Sequence, residues 1–378
     1  MGGSGRAVCN CAVGVPMAKT GKMGCVLSPI LLYHVFLVGH ASTVYLFSIL
    51  EWSFMRIFLK RFLFFLIPIL LILGAAELYL RHVPTSYKIK YTQLTADAGD
   101  IQLLILGNSH ATYGLDPRLF SLNAFNIASV NQSLYFDKRI TLKYIDELPK
   151  LKYVLISVDY HSLYFSDEGF RDTWSYYGYG INYKDSLPIA TRLSYLYGYK
   201  GALALEFMKR SFEKKYKIIR SVDVDFDLDL DHPYTKGYVG KVNGPYLAEK
   251  DNRDRAKFFN DIVRTSDERE SIIADLEGFI DTLKKRNITP VLITLPCYGP
   301  FRAYLDKTVM EQNKIDIQAI CSKEQVRYWD YFTMPLDSIY FYNSDHVNEK
   351  GASIVTTDVN RRIEALEKGE SVVGVVRK

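Results

Sequence analysis

Hydrophobic positions along the chain follow two different patterns. Residues 62–80 are apolar almost without interruption, whereas from residue 101 short apolar runs alternate with stretches in which apolar residues recur every three or four positions. A helix over 62–80 is about 28 Å long at 1.5 Å per residue, just enough to cross the hydrocarbon of a bilayer, and Pro68 is tolerable within it. The second pattern predicts strands at 101–106, 125–129, 153–159, 290–296 and 326–332. It predicts helices at 132–148, at 255–286 with a break near Ser266, at 307–324 and at 349–367, the last amphipathic through Ile354, Val359, Ile363 and Leu366. Strands alternating with helices make the fold class α/β: a three-layer α/β/α sandwich around a five-stranded parallel sheet, preceded by a transmembrane helix. Residues 161–252 break the alternation and read as an insertion in a domain covering 101–366, with 367–378 as a tail.

The flanks of the apolar run set the expected topology. Arg56, Lys60 and Arg61 precede it and would stay in the cytoplasm. With a single span, the domain beyond residue 81 is then extracytoplasmic, which for an inner (cytoplasmic) membrane means periplasmic. A genuine first span at 30–50 would return the domain to the cytoplasm, though His34 and His40 sit uncomfortably in one. Residues 1–54 look foreign to the rest, with dense Gly and Cys and no acidic residue before Glu51, so a translated upstream extension ahead of Met55 is expected. A cleaved signal peptide is the rival reading of 55–80, because Gly74-Ala75-Ala76 follows the apolar core. Leu78-Tyr79-Leu80 continues that core past Glu77 and favours an uncleaved anchor. Residues 81–100 read as a polar connector.

A formal charge of +5 on 378 residues is too small to suggest nucleic acid. Cys9, Cys11 and Cys25 fall in the suspect leader, and Cys297 and Cys321 are isolated, so neither a disulfide framework nor a zinc site is expected. Asp159 and His161 are two ligands at most, too few for a metal centre. No cofactor is implied.

The candidate chemistry stands just past the first strand, in Gly107-Asn108-Ser109-His110. Loops beyond the carboxyl ends of parallel strands are where such sheets bind ligands, and a serine there needs a base. The distant stretch Asn343-Ser344-Asp345-His346-Val347-Asn348, followed by Gly351-Ala352, offers His346. Taken together, the two blocks resemble those of the SGNH (GDSL-like) hydrolase superfamily. That resemblance implies a flavodoxin-like sandwich, Ser109 as nucleophile and His346 as base. Asn108 and His110 would be supporting or substrate-contacting residues.

The resemblance strains at the orienting acid. The family's Asp-x-x-His pattern would put the acid at position 343, where this chain has Asn343, which could hold the imidazole by a hydrogen bond but could not stabilise imidazolium by charge. Asp345 is expected to serve instead, with Asp337 or an unassisted Ser-His dyad as alternatives. Oxyanion donors would be the Ser109 backbone N–H and Asn131, while the third strand is followed by Asp159-Tyr160-His161, with no asparagine. A charged edge strand is expected at 223–231, where five aspartates alternate with apolar residues. The tyrosine-rich part of the insertion, 164–199, reads either as a sugar-stacking lid or as packing.

These readings imply a membrane-anchored serine esterase or O-acyltransferase, with acetyl as the expected acyl group. Anchored members of the superfamily resemble proteins that O-acetylate bacterial exopolysaccharides. A cell-envelope glycan or acyl ester as substrate and a polytopic acyl-donor partner follow by that analogy. The alternatives are a catalytically degenerate glycan-binding or polysaccharide-assembly protein and a lipid esterase.

Overall fold

The computed structural model describes residues 29–83, 85–166, 171–181, 187–199, 204–205, 208–209, 234–241 and 247–370. The acidic stretch 223–231, Tyr183 and the three amino-terminal cysteines lie outside them, as does the side chain of Trp174. Two compact units are present, Met1–Gly74 and Ala75–Lys378. A helix, α1 (Pro29–His82), fills the described part of the first and ends in the second. Among the described residues it contains the one stretch, Phe54–His82, that is long and apolar enough to cross a membrane.

The second unit is an α/β domain. Its strands β1 (Leu103–Leu106), β2 (Ala124–Asn126), β3 (Tyr153–Ser157), β4 (Thr289–Thr294) and β5 (Arg327–Asp330) form a parallel sheet in the order β2-β1-β3-β4-β5. Leu103–Leu106 pair in register with Tyr153–Ile156, so β1 and β3, both wholly buried, lie side by side. Alternation on β1 feeds two cores. Leu104 and Leu106 join one face with Val154, Ile156 and Leu292, and Leu103 and Ile105 join the other with Leu155, Val291 and Ile293. Burial on both faces explains why these strands are apolar throughout rather than alternating with polar residues. Truncating a wholly buried residue such as Leu155 to alanine is a change that costs about 2–5 kcal/mol.

Helices cover both faces. In chain order they are α2 (Ser86–Asp97), α3 (Ser109–Gly114), α4 (Leu134–Tyr144), α5 (Arg171–Tyr179), α6 (Ile189–Leu193), α7 (Tyr195–Gly198), α8 (Glu249–Thr265), α9 (Arg269–Lys285), α10 (Gly299–Arg302), α11 (Lys307–Glu324) and α12 (Glu349–Glu367). The break expected near Ser266 separates α8 from α9. The connector expected to be a polar tether is instead a packed helix. Thr85 caps α2 by accepting from Lys88 N–H at 3.2 Å, and Tyr87, Lys90 and Leu94 are buried against the domain.

Several tyrosines of the insertion pack against this connector or against one another. Tyr179 meets Tyr87 edge-on at 5.8 Å, and its carbonyl accepts from Tyr144 Oη at 2.9 Å and Lys143 Nζ at 2.6 Å. Tyr177 stacks on Tyr195 at 3.7 Å. Packing is therefore what Tyr177, Tyr179 and Tyr195 do, whereas Tyr197 is exposed. Further on, Lys236 O accepts from Asn126 N–H at 2.9 Å, so the turn at 235–238 sits against the outer edge of β2.

Candidate active site

The turn after β1 depends on Gly107. Its φ of +135° is left-handed territory, and a Cβ there would stand 2.5 Å from Ser157 Cβ, so only glycine fits. Asp137 of α4 accepts the Gly107 N–H at 3.0 Å and fixes the turn from behind. Asn108 then caps α3 by accepting from His110 N–H at 2.9 Å, which places Ser109 in the helix's first turn.

The distant block is held by its own turn. Phe341 and Val347 form an antiparallel bridge, Tyr342 N–H donates to His346 O at 2.8 Å, and Asn348 caps α12 through Lys350 N–H and Gly351 N–H. This arrangement brings His346 Nε2 to 2.7 Å from Ser109 Oγ, across 237 residues of sequence. Both side chains are buried.

Asn343 Oδ1 receives three donors: Asp345 N–H at 3.2 Å, His346 N–H at 2.9 Å and His346 Nδ1 at 3.0 Å. Two backbone donors identify that atom as the oxygen, so Nδ1 carries the imidazole proton and Nε2 turns its lone pair to Ser109. The orienting bond expected from Asp345 thus falls on Asn343. Asp345 Oδ1 lies 3.5 Å from the same nitrogen, and its other oxygen accepts from Arg255 Nε at 3.0 Å and Nη2 at 2.8 Å. Asp345 contributes charge beside His346, while Asn343 contributes alignment. Asp337 is exposed.

A buried row of charge runs behind the pair. His110 Nδ1 is 3.2 Å from Asp159 and its Nε2 is 3.4 Å from Asp345, with the Cys297 thiol 4.0 Å away. Burial alone would discharge His110, but the Asp159 carboxylate, aided by Asp345, raises its pKa well above the ordinary value. His346 responds in the opposite sense. Burial first, then the cations His110, Arg255 and Lys241, outweigh Asp345 and bring its pKa down to about 3. The base is therefore neutral near pH 7, as proton acceptance requires. His161 is lowered to about 4, chiefly by burial; it stacks on Phe259 at 4.6 Å and faces Asn108 Nδ2 at 3.4 Å.

Asn131 lies at the tip of an exposed turn. A tight turn closed by Gln132 N–H to Ser129 O at 2.9 Å puts Asn131 at φ 55°, exposed, and among the described residues it makes no hydrogen bond to the serine. Sequence reasoning missed Arg255, Asp137, Tyr113 and Lys241. Tyr113 places its ring edge-on to His346 at 5.3 Å, and Lys241 lies 4.8 Å over Tyr113. The position of Asp137 three residues into α4 carries no visible signal, and Arg255 reads as one charge among many on an amphipathic helix. His110, Asp345 and His346 offer ligand atoms within 4.8 Å of one another, but Nδ1 of His346 is protonated toward Asn343 and Arg255 occupies Asp345, so the donor set does not suit a cation.

No family model matches the chain, and no curated protein matches it either. Solved structures similar in arrangement include a GDSL-like lipase from Bacteroides thetaiotaomicron, at 12% identity over 74% of this chain and 99% of that one, with a TM-score of 0.36. A lipase/acylhydrolase from Enterococcus faecalis is 11% identical over 70% and 97% of the two chains, with a TM-score of 0.31. A variant of an acetyl xylan esterase from Geobacillus stearothermophilus is 12% identical over 73% and 98%, with a TM-score of 0.29. Likenesses this distant assign no residue a role, and the chemistry of the site rests on its own distances.

Proposed function

We propose that this chain is a serine acyl-transfer protein of the SGNH type, an esterase or O-acyltransferase working through Ser109 and His346. The observation that carries the reading is the 2.7 Å contact between Ser109 Oγ and His346 Nε2, with Nδ1 tied down on the far side of the ring. Ser109 Oγ attacks an ester carbonyl as its proton passes to Nε2. The ester C–O bond then breaks, and the leaving alcohol takes that proton from the imidazolium. Water or a sugar hydroxyl, deprotonated by the same nitrogen, releases the acyl group from Ser109. The Ser109 backbone N–H, in a first turn where helix carbonyls are lacking, is the donor for the oxyanion.

The full reading is a single-span, inner-membrane protein with its catalytic domain outside the cytoplasm, acting on a cell-envelope glycan supplied with acyl groups by a polytopic partner. Arg56, Lys60 and Arg61 before the apolar stretch support the orientation, and α1 runs unbroken through residues 51–61, where a two-span arrangement would turn. The neutral Asn343 favours a second reading, a glycan-binding protein that has lost catalysis.

Labelling with a fluorophosphonate probe decides between them. Label lost in both Ser109→Ala and His346→Ala is the expected outcome, with hydrolysis falling by about 10²–10⁴-fold when the base is removed. A folded wild-type protein that takes no label would sink the enzyme reading. Release of acetate that is equal with and without a glycan acceptor would exclude the transferase.

A further inference from the structure

The end of α1 is fastened to the insertion. Glu77 accepts from Tyr195 N–H at 2.9 Å, Leu196 N–H at 3.0 Å and Ser194 Oγ at 3.0 Å. One turn on, Arg81 donates to Leu193 O at 2.5 Å, and Arg81 and Lys88 each stand 4.9 Å from the Tyr195 ring. Residues 193–196 are thereby held at the level of residues 77–81, where the apolar helix gives way to polar sequence.

α6 and α7 also turn large apolar side chains outward. Ile189 is 73% exposed, Leu193 69% and Tyr197 59%. Ile189 and Leu193 are four apart on one helical face, while Thr191 and Gly198 are buried toward the domain. Single exposed apolar residues are ordinary, but three on two consecutive short helices, beside the end of a candidate span, form a patch. Cations border it: Arg192 is exposed within α6, and Arg81 and Lys88 stand beside the Tyr195 ring of α7.

We propose that α6 and α7 form a collar seated on the lipid surface, with Ile189, Leu193 and Tyr197 entering the interfacial layer of the membrane that α1 crosses and Arg81, Lys88 and Arg192 facing anionic headgroups. The proposal rests on the single-span reading of α1. Tyrosine suits an interface where the ring is apolar and the hydroxyl wet, and arginine stems can lie along apolar surface with the charged group in the headgroup layer. The Glu77 carboxylate can occupy this level because Arg81 pairs with it at 2.7 Å and backbone donors saturate it. Anchor and collar together give the domain two attachments to the membrane instead of one flexible tether.

The test uses the full chain with its cysteines replaced by alanine. An environment-sensitive nitrobenzoxadiazole probe is placed through Leu193→Cys, Tyr197→Cys or, as reference within α1, Leu70→Cys. Each protein is reconstituted into phosphatidylcholine/phosphatidylglycerol vesicles with nitroxide lipids quenching near the headgroups or deep in the chains. The collar requires blue-shifted emission at 193 and 197, quenched more by the shallow nitroxide, and deep quenching at 70. Lipid quenching at 70 but not at 193 or 197 overturns the collar and leaves the anchor intact. No quenching at any of the three removes the anchor and the collar with it. A probe at 193 shielded from water yet unquenched by lipid places a second copy or another protein on the patch and also overturns the proposal.

Discussion

Asn343 Oδ1 stands 3.0 Å from His346 Nδ1, so an uncharged amide aligns the imidazole that faces Ser109. An amide can fix the tautomer as well as a carboxylate but adds no charge when the ring becomes imidazolium. That charge is left to Asp345, half an ångström farther from hydrogen-bonding range and shared with Arg255. The wild-type acid limb of kcat/KM is therefore expected well below the ordinary histidine value of 6.5, following a His346 pKa lowered to about 3. Asn343→Asp adds an anion within 4 Å, which typically moves a pKa by about 1–3 units, so its acid limb should lie at higher pH. A pH–rate profile checks this, and an unmoved limb would mean that His346 is not the titrating base.

Arg255 holds a buried carboxylate from a third-exposed position, at 33% side-chain exposure against 0% for Asp345. Arg255→Met leaves that charge with histidine partners alone and is expected to cost about 3 kcal/mol, the low end for breaking a buried pair because water reaches the guanidinium. Adding Asp345→Asn to Arg255→Met should restore part of the loss, since the orphaned charge is then gone. Urea unfolding of the two single variants and the double variant in detergent reads the coupling, and strictly additive losses would show that the two side chains act independently.

Asp137 carries a different signature. Burial, opposed by donors from Gln132 and Gly107 and reinforced by the Asp159 charge, raises its pKa to about 7. Its folded pKa lies above its unfolded one, so the stability it contributes is complete below about pH 4 and declines as pH rises to about 7. Asp137→Asn keeps an acceptor for Gly107 N–H and has no such decline. Its melting temperature relative to wild type should climb between pH 4 and 7 and then level off. A constant offset across that range would show that Asp137 titrates normally in the folded chain.

Much of this architecture was legible in sequence, for physical reasons that can be named. Strands buried on both faces must be apolar throughout, which made β1, β3 and β4 plain, and the apolar positions Ile354, Val359, Ile363 and Leu366 at helical spacing made α12 plain at 349–367. Ser109 and His346 were legible because each lies just past a strand or just before a helix in a short block with Asn, Gly and Asp. Lys241 was not, because the insertion folds back by tertiary contacts that leave no periodic trace, and Arg255 was not, because it is one of several charges on the polar face of α8. Residues 86–97 looked like a tether because their mean polarity is high. Their large buried side chains, Tyr87, Lys90 and Leu94, do recur at helical spacing, but the middle one is a lysine, so no apolar stripe is visible in the sequence.

His110 sits between two carboxylates, 3.2 Å from Asp159 and 3.4 Å from Asp345, and is wholly buried. Its raised pKa means that the folded protein keeps a proton there which the unfolded chain begins to lose near pH 6.5. The stability it contributes is therefore present below that value and is lost only as pH climbs through the higher folded pKa. His110→Gln retains a polar side chain of similar reach but removes the cation. Two effects should follow together. The acid limb of kcat/KM should move up, because the positive charge that helps hold His346 neutral is gone. The loss of melting temperature should be greatest just below pH 6.5, decline as pH rises above it, and shrink in stronger acid, where Asp159 and Asp345 can take up protons in place of the missing imidazolium. An acid limb unchanged in this variant, with a stability loss independent of pH, would reduce His110 to a space-filling side chain with no electrostatic part in the site.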